Sequence, residues 1–129
     1  KGLNDRIIFL GRLPFEDLKV HTEKACIGIL FEEPRGLSFE FSLPNKLFDY
    51  IHSNTAVLAS PLIEVKRIVD QYQVGEFIYE RNPEVVANQI KKMSKNIDEY
   101  KFIQAKKDLN WQNEYKNLEC IFSPLLGKA

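Results

Sequence analysis

Cysteine is scarce in this 129-residue chain: Cys26 and Cys120 lie far apart and in no metal-like or redox-like spacing. A reduced, cytoplasmic compartment is the simplest reading of that usage. An excess of either charge is missing too, since 18 Lys and Arg balance 18 Asp and Glu. A surface built throughout to hold nucleic acid by counterion release is therefore not expected, and no nucleic-acid partner is assigned. No apolar run approaches the roughly 20 residues that a bilayer span requires. Glycine-rich phosphate loops are absent: Gly11 stands alone, and neither a G-x-G-x-x-G nor a Walker pattern occurs. His21 and His52 have no third ligand near them in sequence, so both read as structural residues. The chain opens Lys1-Gly2-Leu3-Asn4-Asp5, without an initiator Met or a signal-peptide core, and reads as a cut inside a longer protein.

What is present suits one folded domain. Apolar residues make up 44% of the chain and aromatics 12%, which argues against disorder. Two periods alternate along it. Ile7-Ile8-Phe9-Leu10, closed by Gly11, reads as a strand buried on both faces. A helix is expected from Pro14 to near Lys24, and a second strand from Ala25 to Phe31, with Cys26 inside it. Residues 32–42 are polar and turn-prone. Pro44 suits a first helical position, and Leu43, Leu47 and Ile51 recur at intervals of four to give that helix a core face. Ala56-Val57-Leu58-Ala59 reads as a third strand, a helix carrying Ile63, Ile68 and Val69 follows, and Phe77-Ile78-Tyr79 reads as a fourth strand. From Asn82-Pro83 the chain is helical to about Ser123, with a break near residues 108–110. Trp111 and Tyr115, four apart, are expected to dock that last helix on the core.

Alternating strands and helices predict an α/β fold with an open parallel sheet of about four strands, Rossmann-like and covered by helices. Residues 1–129 are expected to form one domain with a helical C-terminal tail from about residue 94. Ligands in such sheets bind beyond the carboxyl ends of the strands, which directs attention to residues 11–14, 32–43, 60–62 and 80–82.

Ser42-Leu43-Pro44-Asn45-Lys46-Leu47-Phe48-Asp49-Tyr50 holds the most chemistry. A helix start at that edge offers unpaired N–H groups and the positive end of the macrodipole, together an anion site. Lys46 in the first turn opposes the dipole at a cost of about 0.3–1 kcal/mol. A bound phosphate would remove the objection, and so would an ion pair with Asp49 three residues on; spacing alone favours neither. Asp49 is suited to accept two hydrogen bonds from a vicinal diol, or is a solvated helix residue.

Phe9-Leu10-Gly11, Ala25-Cys26-Ile27-Gly28-Ile29, residues 42–50 and Ala56-Val57-Leu58-Ala59-Ser60, in that order, resemble the C-terminal, donor-binding domain of GT-B-fold glycosyltransferases. The closest similarity is to the retaining GT4 family, over about residues 6–90, with Pro44-Asn45-Lys46-Leu47-Phe48-Asp49-Tyr50 matching a family segment. The resemblance implies a nucleotide diphosphate sugar as donor, and transfer of its sugar to a glycan or lipid-linked glycan with retention. It places the base near Gly11, Arg12 and Leu13, and the diphosphate on Ser42, Leu43, Asn45 and Lys46. Asp49 falls where the family commonly has a ribose-binding glutamate. No metal cofactor is implied, and no catalytic residue is assigned.

Two departures matter. The family's other acid, eight residues earlier, is replaced by Phe41. The domain's first strands and the acceptor-binding N-terminal domain should precede Arg6, so the fragment alone is expected to be inert. A sugar-nucleotide 2-epimerase shares the two-domain plan, but its catalytic acids are not evident. A receiver-like interaction module would need a phosphoacceptor Asp ending a middle strand, and Ala59-Ser60 supplies none. Lys91, Lys92, Lys95, Lys101, Lys106 and Lys107 form a modestly basic stretch that would suit the inner face of a membrane, although a solvated face is the simpler reading.

Overall fold

A computed structural model describes residues 3, 5–33 and 35–126 of the chain. Three parallel strands form an open sheet: β1 (Ile27–Leu30), β2 (Ala56–Ala59) and β3 (Gly75–Phe77), in spatial order β1-β2-β3. The helices are α1 (Phe15–Glu23), α2 (Leu37–Glu40), α3 (Asn45–His52), α4 (Ile63–Tyr72), α5 (Pro83–Lys95), α6 (Ile103–Asp108) and α7 (Trp111–Leu126). A 3-10 turn, Ile97–Glu99, separates α5 from α6.

Side-chain alternation along β2 explains the layering. Val57 and Ala59 point into a core shared with Leu47 and Ile51 of α3, Val65, Ile68 and Val69 of α4, and Ala105 of α6. Ala56 and Leu58 point the other way, to Met93 on α5, Ile78 and, half-buried, Val86 and Ile90. All four strand residues are buried, as an apolar strand covered on both faces must be. The ring of Phe102 packs against both clusters. The Leu43, Leu47 and Ile51 stripe turns inward as its period predicts, Leu43 half-buried and the other two fully buried.

Close backbone approach sets two strand positions. Tyr50 lays its ring against Gly28, where an added Cβ would stand 2.6 Å from ring carbons, and donates its hydroxyl to the Ile29 carbonyl at 3.3 Å. That contact fixes α3 over β1. At Gly75 an added Cβ would meet the Val57 carbonyl oxygen at 2.0 Å. Buried Thr55 ties α1 to the sheet by donating to the Thr22 carbonyl at 2.8 Å.

Several expectations are corrected. Among the described residues the sheet has three strands, because Ile7-Ile8-Phe9-Leu10 pairs with no other strand and Phe9 is 93% exposed. Apolar composition makes a segment fit for a buried strand but supplies no partner for its N–H and C=O groups. The last strand lies two residues earlier than Phe77-Ile78-Tyr79 suggests. Cys26 is exposed just before β1, and Cys120 is exposed on α7. Trp111 and Tyr115 do not enter the core; Trp111 is 67% exposed. The one-turn helix α2 lies within the stretch read as loop. Among the described residues no helix is long and apolar enough to cross a membrane.

Candidate functional site

Parallel strands bring the ends of β1, β2 and β3 to one edge, and α3 begins beside it. Pro44 precedes the helix with an extended backbone instead of occupying its first position. The Leu47 N–H bonds to the Pro44 carbonyl at 3.0 Å, and among the described residues no side chain caps α3. Among the described residues the Asn45 and Lys46 N–H groups have no acceptor. These are the orphan donors every helix start leaves. Ser42 stands just before them, and its Oγ is buried without a hydrogen-bond partner among the described residues. A hydroxyl in that state costs stability of order 1–3 kcal/mol unless something comes to meet it.

Asn45 and Lys46 are exposed, and no ion pair links Lys46 to Asp49 among the described residues. Asp49 is exposed and borders a groove of about 350 Å³ between α1 and α3, with Phe15, Leu18, Lys19, Thr22 and Phe48 among its walls. Burial, with the Asp49 charge beside it, pushes the neighbouring Tyr50 phenol above its usual range. Leu43 faces the opposite flank of α3, where a groove of about 600 Å³ runs between α3 and α4 under Trp111. His52 borders both grooves, and its Nε2–H donates to the Leu109 carbonyl at 2.8 Å.

Ser42, Asn45 and Lys46 are thus together at the helix start, with Asp49 a turn further along. Gly11, with φ at 68°, Arg12 and Leu13 lie on the segment leading into α1, exposed except for half-buried Leu13, and line neither groove. Their link to Asp49 runs through α1, which begins two residues later and supplies Phe15 and Leu18 to its groove.

The alternation of strands and helices marked the remaining edge loops, 32–43, 60–62 and 80–82, without singling out Arg81. Arg81, after β3, donates to the Glu32 carbonyl at 2.6 Å and to Ser60 Oγ at 3.1 Å, so one guanidinium joins the ends of all three strands. Among the described residues no three His, Cys, Asp or Glu side chains converge as metal ligands would. The chain matches no protein-family model, no curated protein and no solved structure.

Proposed function

We propose that this chain is the donor-binding portion of a retaining, GT4-like glycosyltransferase that uses a nucleotide diphosphate sugar. The observation that carries the reading is the start of α3. Among the described residues a buried Ser42 hydroxyl without a partner, two N–H groups without an acceptor and a Lys46 without an ion pair follow one another at the helix start, where the family resemblance expects a diphosphate. In this reading the base lies by Gly11, Arg12 and Leu13, and the ribose diol on Asp49.

The chemistry follows from charge development. Breaking the bond between the anomeric carbon and the phosphate oxygen leaves its electron pair on the diphosphate. Donors fixed in advance around that oxygen lower the barrier most when water is excluded. The α3 amides and Lys46 supply them, without a metal ion. Water exclusion and acceptor positioning fall to a second, acceptor-binding domain. The chain alone is therefore expected to bind donor without turning it over, and the sugar's acceptor is a glycan or lipid-linked glycan.

The finer Rossmann-like architecture belongs to the same proposal. In a doubly wound sheet of order 3-2-1-4-5-6, β1, β2 and β3 correspond to the last three strands, and Ile7-Ile8-Phe9-Leu10 to the third. Two strands would then stand between that segment and β1, consistent with its lack of pairing among the described residues.

Titrating the isotopically labelled chain with UDP and with GDP tests the site. Saturable amide shifts confined to residues 11–13 and 42–49 are expected. Saturation elsewhere, with those residues silent, would sink the assignment.

A further inference from the structure

The Arg81 guanidinium is held from three sides. Its Nη2 bonds to the Glu32 carbonyl and to buried Ser60 Oγ, which also accepts the Glu32 N–H at 3.1 Å. The Phe31 ring lies 5.9 Å away. Nη1 meets Glu33 Oε1 at 3.0 Å. The other Glu33 oxygen accepts from Arg35 Nε at 3.2 Å and Nη2 at 3.1 Å. Phe31, Glu32, Glu33, Arg35, Phe39 and Arg81 line a groove of about 270 Å³.

A carboxylate bracketed by two guanidinium groups, each serving a different oxygen, has the geometry in which proteins hold phosphate. Here the anion is the chain's own. Its hold is slight: the Glu33, Arg35 and Arg81 side chains are 53%, 73% and 41% exposed, where ion pairs contribute about 0–1 kcal/mol. Arg81, by contrast, is fixed by a backbone carbonyl and a buried hydroxyl that do not depend on Glu33.

We propose that Arg81 and Arg35 form a binding site for a phosphate or diphosphate group at the sheet edge, and that Glu33 occupies it in the free chain as a displaceable stand-in. With Glu33 in place, two carboxylates (Glu32 and Glu33) balance two guanidinium groups around the groove. Once Glu33 swings out, Arg35 and Arg81 face Glu32 alone, leaving one net positive charge toward the incoming anion. A phosphate brings more charge and more acceptor oxygens than the carboxylate it displaces. The inference concerns an anion and stands whether or not the ligand is a nucleotide sugar.

Calorimetric titration of the full chain with inorganic pyrophosphate, and separately with UDP, tests it at low ionic strength. Glu33→Gln is expected to bind pyrophosphate about tenfold more tightly, because the competing carboxylate is gone. Arg81→Lys, which keeps the charge but loses the fork, is expected to bind about tenfold more weakly. The same gain with UDP would put the nucleotide's diphosphate here instead of at the start of α3, whereas a gain with pyrophosphate alone identifies a free anion and leaves the α3 reading untouched. Glu33→Ala gives a second reading should the Gln variant melt early. An unchanged or weaker pyrophosphate affinity in both Glu33 variants, or no detectable binding in any form, overturns the inference. Asp49→Ala, which probes the nucleotide reading, should leave the Glu33→Gln gain intact, so the two ideas fail separately.

Discussion

At the scale of single residues, the sharpest tests come from side chains whose surroundings say one thing only. Asp49 is exposed and makes no ion pair among the described residues, so its removal leaves the fold untouched. Asp49→Ala should therefore weaken UDP binding by about tenfold, or ~1.4 kcal/mol, with an unchanged melting temperature. An unaltered dissociation constant removes Asp49 from the site. Gly75 is the opposite case. A methyl group there collides with the Val57 carbonyl, a backbone atom of the central strand that cannot turn aside. Gly75→Ala should cost about 1–3 kcal/mol in urea denaturation. Neither Arg81 nor Gly75 could be picked out from the sequence. The edge loops were legible from the alternation of strands and helices, but which side chain reaches across depends on where three separate loops converge in space.

Among the elements, those whose partners lie close in sequence or on the helical period were readable, and those that need a distant neighbour were not. The Leu47 and Ile51 stripe and the uniformly apolar β2 announced α3 and the central strand. Ile7-Ile8-Phe9-Leu10 has the same composition as a covered strand, yet nothing in it encodes whether another strand stands beside it. The joint between β3 and α5 was likewise invisible. Glu76 on β3 accepts hydrogen bonds from Lys92 at 2.7 Å, from Tyr100 at 2.9 Å and from Gln89. Burial alone would raise its carboxyl pKa, but those bonds and the Lys92 charge outweigh burial and hold it below the usual range. The unfolded chain thus takes up this proton at a higher pH than the folded one. The stabilisation is complete above the ordinary carboxyl pKa of about 4.3, and it is lost as pH falls through the depressed folded value. Urea midpoints measured from pH 7 to pH 3 should show Glu76→Gln less stable by about 1–2 kcal/mol at neutral pH, with the gap closing in acid. A gap of constant size across that range would remove the carboxylate from the joint.

For the whole molecule, the sequence made the α/β class and the helical C-terminal half legible, while the three-strand count and the exposure of Trp111 followed only from the assembled chain. The two apolar clusters lie on opposite sides of a sheet that is three strands wide among the described residues, and the ring of Phe102 is packed against each of them. Successive residues of β2 feed both clusters, and Phe102 adds a side-chain link to that backbone connection. With Phe102 present, both should melt as one calorimetric transition. Phe102→Ala, expected to cost about 3 kcal/mol, should broaden that transition until its van't Hoff enthalpy falls below the calorimetric one. Cooperativity between the two clusters then draws on a ring at the very start of α6, outside the sheet.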